Sequence, residues 1–390
     1  MFSSDMAICG LTLLCIHVCL VKALRYRRIN AMTRDLGYES RSSLSRMTVA
    51  DAQKIMLSVA ELEFPLIHFY ANAFSLFKTY GIPSISSLLI ETGNFSTSSK
   101  TSKRSADTAT LIVEFIAEPL NSTRSLKAIS RMNYLHRGWQ QAGKISDEDM
   151  LYTLCNFALE PARWIEKYEW RGLTRMELCA QGTFWKSLGD AMLIPFDALQ
   201  SSSKGWTDGL HWLDDARRWT DSTMDMLLWY LPRSVRSHGK ALASLLMTTR
   251  LREAMMYSQP GRIGAYAFNA VIVIRKICLR YLVYPRPEIL RFTMQNTPAD
   301  PLTGRYHTVT YIDLPWYVKP GLRNRMGIMA WIIWAAGGVL PGERGEEFHP
   351  RGFKIEDIGP TSLVGKGHGF MQEEFARLKG SDKSGCPFLR

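Results

Sequence analysis

Between Asn121 and Trp185, helix starts and stops follow one another so closely that strands have almost no room. Ser122 or Thr123 caps a helix that runs to Gly143, a residue suited to the left-handed position past a helix end. Ser146, with Asp149 three residues on, opens a second helix in which Met150, Leu151, Leu154, Phe157 and Ala158 recur at helical spacing. Pro161 is expected to break or restart it, because proline lacks the N–H and crowds the preceding turn. Thr174 and Glu177 form a capping box for a third helix. On the first helix, Leu126, Ile129, Asn133 and His136 lie on one stripe at spacings of three and four, so His136 points inward.

The flanking sequence uses the same signals. Thr48 caps a helix carried to Glu63; Pro65 restarts the chain through Leu66, Ile67, Phe74 and Phe77, and Gly81-Ile82-Pro83 stops it. Ser86 to Ser105, dense in Ser, Thr and Lys, reads as a surface loop or the approach to one. A helix through Leu111 and Phe115 follows, with Asp107 a candidate N-cap. Phe184, Trp185, Leu188 and Met192 form another stripe, closed by Pro195. Ala241–Met256 and Ile263–Leu282 read as long apolar-rich helices, and Pro298 to Pro320 as irregular. Met326 to Leu340 is short for a membrane span and reads as a buried helix or one lying in a membrane interface, where Trp331 and Trp334 sit well. A short helix is expected around Phe370 to Leu378. With strand patterns scarce, the fold class is all-α.

A chain of 390 residues, 46% hydrophobic, buries a sizeable core as one large domain or two closely joined ones. Its net charge of +12 suits nucleic acid or an anionic membrane surface. No zinc-knuckle spacing, aromatic RNA-binding run or helix-turn-helix signature supports nucleic acid. Met6 to Val21 is almost wholly apolar and is followed by Lys22, Arg25, Arg27 and Arg28; counted to Leu24, with Lys22 snorkelling, it is long enough to span. A cleaved signal would carry its charges before the run. Residues 1–28 are therefore expected to form an anchor with a basic flank, and 29–390 a helical body that the positive-inside rule places in the cytosol. Seven scattered cysteines without a C-x-x-C pair fit a reducing compartment. Sequons at Asn94 and Asn121 would be used only in the lumen.

Zinc-protease, nucleophile-elbow, P-loop and dinucleotide fingerprints are all missing, and no cysteine sits in a Gly-rich loop before a helix as a cytochrome P450 ligand does. Asp214-Asp215-Ala216-Arg217-Arg218 is not a D-D-x-x-D magnesium site, since its fifth position is Arg218. An inward His136 has two readings: a core histidine bonded to a carbonyl, or a neutral axial ligand to haem iron. His307, in Gly304-Arg305-Tyr306-His307, is a second haem-site candidate against the plainer reading of a solvated loop histidine. Arg163 and Arg171, with Glu160 and Glu169, form either an ion-pair lattice or propionate-binding arginines.

The runs RMNYLHRGW, GKISDEDMLYTL, FALEPARWIEKYEWRGLT and FWKSLGDAM, with FKTYGIPSIS, YPRP, TGRYH, PWYVKP and a late GG-x-x-PG, cover nearly the whole chain. They resemble the fungal endoplasmic-reticulum-bound oxygenases of the mycophenolic acid type, distant relatives of bacterial latex-clearing rubber oxygenases. The resemblance implies a membrane-anchored, globular, haem-binding helical fold, with His136 holding haem b and dioxygen as co-substrate. It implies attack on an alkene of a farnesyl-type isoprenoid chain, met at the ER membrane, with no obligate protein partner. The relatives carry an Arg and a Lys-Thr pair ahead of their haem histidine; Arg104 and Thr108 match two of those positions, and with Arg131 they are the candidates to orient bound oxygen, while Asp107 stands where the lysine would be and could orient water or oxygen in its place, and Asn133 and Gln140 stand where the relatives carry arginines. Those departures keep a scaffold without haem in play; a second rival is an enzyme of the same fold that epoxidises without cleavage.

Overall fold

The computed structural model describes residues 2–93, 97–227, 262–311, 314–335, 337–381 and 385–388. Helix α1 (Phe2–Arg25) runs almost straight into α2 (Arg27–Asp35). At ~1.5 Å rise per residue, α1 alone exceeds the ~30 Å hydrocarbon core of a bilayer. It is the helix, among the described residues, long and apolar enough to cross a membrane. Its Met6, Ile8, Leu11, Leu13 and Ile16 are exposed, as a helix packed on the body would not be.

The body begins where the sequence signals place it. Thr48 accepts from the Asp51 N–H to open α3 (Val49–Ser58), which a π-helical turn extends over Val59–Glu63. Pro65 starts α4 (Pro65–Thr79) at a position where its missing N–H costs nothing. The expected Ser86–Ser105 loop is corrected: Pro83–Glu91 forms α5, and a Thr97 cap accepting from the Lys100 N–H opens α6 (Ser98–Ala117). The polar first half of α6 is held helical by that cap and by the Lys103–Asp107 pair one turn apart. Asp107 is thus mid-helix and caps nothing.

Ser122 caps α7 (Thr123–Gln141), which ends before Gly143 at φ 66°. Full capping boxes open α8 (Asp147–Tyr168) at Ser146/Asp149 and α9 (Arg175–Ala191) at Thr174/Glu177. Pro161 does not break α8, contrary to expectation. An interior proline costs about 3 kcal/mol, but α8 is the central helix, buried along almost its whole length from Met150 to Tyr168 and packed on α4, α9 and α10 (Gly209–Leu227). Burying side chains such as Leu151, Leu159 and Ile165 contributes roughly 1.5–3 kcal/mol each, more than enough to offset the proline.

The expected Ala241–Met256 helix lies outside the described residues, whereas α11 (Arg262–Tyr281) forms as read. Met326–Leu340 is not one buried helix: α12 (Leu322–Met326) and α13 (Ile328–Ala335) meet at Gly327, with Ile328, Trp331, Ile332 and Trp334 exposed. The final helix, α14 (His368–Gly380), packs on α7. No strand occurs among the described residues, only a bridge between Tyr306 and Phe353.

His68, on the buried side of α4, is 2% exposed, and its Nδ1 lies 3.1 Å from the Asn72 side-chain amide, which donates to it. Burial pushes its pKa from 6.5 down to about 4. Between those values the unfolded chain binds more protons than the folded one, so stability is full above the upper value and falls as pH drops through the window. The expected loss is about 3 kcal/mol. Urea denaturation on either side of the window should show this acid sensitivity in the wild type and a smaller one in His68→Met; equal sensitivity in both would remove His68 as its source.

Candidate active site

An apolar cavity of about 250 Å³ opens between α4, α5, α6, α7, α8 and α9, closed on one side by the Gly359–Leu363 segment. Leu111, Phe115, Leu154, Phe157, Trp185 and Leu188 supply much of its wall. Polar groups are few, and Arg104, Asp107, Thr108 and His136 are among them. The structure therefore brings together four residues singled out from sequence, from α6 and α7.

His136 reaches the cavity because Ile129 and Leu126, about two and three turns earlier on the same stripe, are buried and fix the rotation of α7. It is half-buried and lines the cavity. Burial, then the positive charge of Arg104, hold its pKa down to about 4, so the imidazole is neutral at physiological pH. Its Nδ1 is buried and has no hydrogen-bond partner among the described residues. The carbonyl-bonded core histidine is thus not what α7 presents.

Arg104 is deeply enclosed, and burial lowers its pKa; the charges acting against that come from Tyr80 and Asp107, and no carboxylate forms an ion pair with it among the described residues. Thr108 lies one turn on, its hydroxyl donating to the Arg104 carbonyl at 3.0 Å. Asp107 is already engaged: Lys103 Nζ lies 2.8 Å from Oδ2 and the Tyr317 hydroxyl donates to Oδ1 at 2.6 Å. Burial raises the Asp107 pKa, against the pull of Lys103, the Tyr317 hydrogen bond and Arg104. Lys103 also donates to the Gly359 carbonyl at 3.0 Å, so this cluster ties the closing segment to α6. Lys103 and Tyr317 escaped the sequence reading. The signals were a lysine one turn before Asp107 and the tyrosine of PWYVKP, separated by 214 residues.

The other candidates lie elsewhere. Arg131 is fully buried, and its guanidinium donates to the carbonyls of Ile358, Leu363 and Lys366 at 2.8–3.0 Å. It holds the cavity's closing segment in place and does not line the cavity. Arg163 bridges Glu160 and Asp221, with Lys78 on the other side of Glu160, joining α4, α8 and α10. Arg171 is engaged by Glu177 and Glu63. Both arginines sit in the ion-pair lattice and not on the cavity wall. His307 is buried against Gly352, its backbone N–H donating to the Thr297 hydroxyl, and it too is away from the cavity.

The residues present fit a haem group in donor chemistry: a neutral imidazole, an orphaned buried ring nitrogen, an apolar surround and a nearby arginine. The volume is below the ~300–1,000 Å³ usual for small-molecule sites, so a macrocycle has to part the walls. Helix α5, which has no buried residue, has the least packing to lose.

No protein-family model matches the chain. It is similar to the ER-bound oxygenase mpaB' of Penicillium brevicompactum, with 40% identity over 388 residues, spanning 95% of this chain and 91% of that protein. The ER-bound oxygenase mpaB of the same organism is 40% identical over 345 residues, covering 88% of this chain and 86% of its own length. A namesake from Penicillium roqueforti (strain FM164) is 41% identical over 263 residues, 63% of this chain and 88% of that protein. Identity at this level across nearly the full length of both chains shows that this protein belongs to the family of the ER-bound oxygenases mpaB and mpaB'.

Proposed function

We propose that the chain is a haem-dependent, ER-bound oxygenase that cleaves a carbon–carbon double bond in the isoprenoid, farnesyl-type chain of a fungal secondary metabolite. The observation that carries this reading is His136: neutral, enclosed, facing an apolar cavity and lacking a partner for Nδ1. The names of its relatives supply the oxygenase class and the membrane. Haem b, when bound, would supply the dioxygen chemistry. In the overall reaction one C=C bond is lost and each oxygen atom of dioxygen ends as a carbonyl on one of the two carbons. His136 would hold the iron through a ring nitrogen. Arg104, without a carboxylate ion-pair partner among the described residues, would set a positive charge beside the cavity where a partly negative oxygen or a propionate gains most, because the surround is of low dielectric. Leu111, Phe115 and Leu154 would seat the prenyl chain and exclude water.

The visible spectrum of detergent-extracted protein tests this. Wild type is expected to show a Soret band, and His136→Ala to lose or shift it with the fold intact by circular dichroism. No band in well-folded wild type supplied with haem would leave a haem-less scaffold as the reading. Product mass then separates cleavage, which shortens the chain, from epoxidation, which adds one oxygen.

The anchor of residues 1–28 is proposed to leave residues 29–390 in the cytosol, as Lys22, Arg25, Arg27 and Arg28 follow the apolar run. Asn121 is exposed just ahead of the Ser122 cap, so a lumenal body would present it for glycosylation. Glycosidase treatment should leave the electrophoretic mobility of wild type unchanged. A shift abolished by Asn121→Gln would place the body in the lumen.

A further inference from the structure

The side of α11 turned away from the body is apolar, the reverse of a soluble helix. At about 100° per residue, Ile263, Tyr266, Val273 and Ile277 stand opposite Phe268, Ile272, Arg275 and Leu279. The second set faces the body. Phe268 and Ile272 pack with Trp164 and Tyr168 of α8, and Leu279 packs with Ile165 and Trp170. Arg275 donates to the Tyr168 carbonyl at 2.9 Å and to Glu169 at 2.8 Å, so the charge on that side is neutralised inward. The first set is exposed: Ile263 87%, Tyr266 75%, Val273 53% and Ile277 51%. Asn269, Lys276 and Arg280 fall together on one flank between the two faces.

This face continues the surface of α1. The two helices pack against each other. The His17 ring bonds the Leu282 carbonyl at 2.8 Å and lies 3.3 Å from the Tyr284 hydroxyl. Arg25 donates to the Val283 carbonyl and Arg28 to the Arg286 carbonyl. The exposed Leu282 and Tyr284 are thus fixed at His17, within the apolar length of α1 and a full turn before Lys22, with the exposed Val283 between them held by Arg25. Basic side chains follow at the base of α1: Lys22, Arg27 and Arg286 are all exposed.

We propose that the outward face of α11, with Leu282–Tyr284, is a second membrane-contact surface, seated in the outer hydrocarbon of the bilayer that α1 enters. The proposal rests on the reading of α1 as the anchor. Charge complementarity selects lipid as the occupant: a cationic rim beneath an apolar face matches an anionic headgroup layer, and a polar flank of Asn269, Lys276 and Arg280 suits a helix lying along the interface. Because the inner face of α11 packs on the C-terminal half of α8, at Trp164 and Tyr168, and the N-terminal half of α8, from Asp149 to Phe157, walls the cavity, the membrane seat would hold the cavity on a helix fixed to the bilayer in which a prenylated substrate dissolves.

The test is photo-crosslinking in microsomes with the full chain. The photoreactive residue p-benzoylphenylalanine replaces Val273 or Ile277, with Leu13 on α1 and the exposed Asp214 on α10 as references. The expected result is phospholipid adducts at Val273, Ile277 and Leu13 at least an order of magnitude more abundant than at Asp214. Lipid adducts at Leu13 without any at Val273 and Ile277 would overturn the proposal and leave the anchor standing. None at any of the three would overturn both. Cross-links from Val273 and Ile277 to a second copy, or to a peptide from residues 228–261, would overturn it by naming a protein occupant.

Discussion

Replacing Gly182 with alanine is expected to destabilise the protein by roughly 3 kcal/mol or more, through one methyl group. Gly182 on α9 meets Gly209 at the start of α10, where a Cβ on Gly182 would stand 2.6 Å from the Gly209 carbonyl carbon and 2.9 Å from its Cα. A Cβ on Gly209 would press back on Thr183, 2.7 Å from its backbone nitrogen. Both obstacles are backbone in helices, so no rotamer change relieves the clash, and the helices must separate. The α9–α10 contact is among the most extensive in the body, and it buries Trp212, Phe184 and Ala216. Separation therefore loosens core as well as contact. Gly138 on α7 gives the control, since a Cβ there meets nothing within 4 Å. Gly138→Ala should stabilise by about 0.5–1 kcal/mol, because alanine loses less backbone entropy in a helix. Thermal melts of the two variants in detergent should move in opposite directions. A Gly182→Ala melting point equal to wild type would show that the helices do not approach so closely.

Neither glycine announced itself in the sequence, which shows what local patterns carry. Caps are local: Ser122, Ser146–Asp149 and Thr174–Glu177 each bond a backbone N–H within three residues, and their spacing alone put the helix starts in place. The inward turn of His136 was legible for the same reason, since its stripe partners sit on its own helix. Reading Ser86–Ser105 as loop failed because residue type was weighed above the Thr97 cap and the Lys103–Asp107 pair. Pro161 misled because its local cost is real, but the packing that overrides it comes from α4 and α10, remote in sequence. The cavity's polar cluster was half legible. Arg104, Asp107 and Thr108 came through a resemblance, while the links from Lys103 to Tyr317 and Gly359 join segments far apart, which no spacing rule reaches. Arg163 and Arg171 were legible as members of an ion-pair lattice or propionate binders and Arg131 as a candidate to orient oxygen, but which carbonyl or carboxylate each meets depends on the packing of whole helices.

Arg131→Met should cost about 3 kcal/mol and loosen the wall of the cavity in the same stroke. The guanidinium is wholly enclosed and makes three hydrogen bonds, to the carbonyls of Ile358, Leu363 and Lys366, with no carboxylate in contact among the described residues. Burial lowers its pKa, opposed by the more distant charges of Tyr134, Asp357, Asp107 and Glu356. Methionine fills much of the volume but donates nothing. Hydrogen bonds from a charged donor contribute ~1.5–3 kcal/mol each. Relief of the buried charge and water reaching the exposed Lys366 position return part of that sum. What remains unsatisfied is the Ile358 carbonyl, beside Gly359 and Pro360, which form the cavity wall. Tryptic cleavage after Lys366 should therefore accelerate in Arg131→Met by more than in a variant of equal global stability such as Gly182→Ala. Arg131→Lys should restore little, because one ammonium cannot serve three diverging carbonyls as a planar fork does. Equal cleavage rates in Arg131→Met and Gly182→Ala would mean that Arg131 stabilises the body as a whole and is not the clamp on this wall.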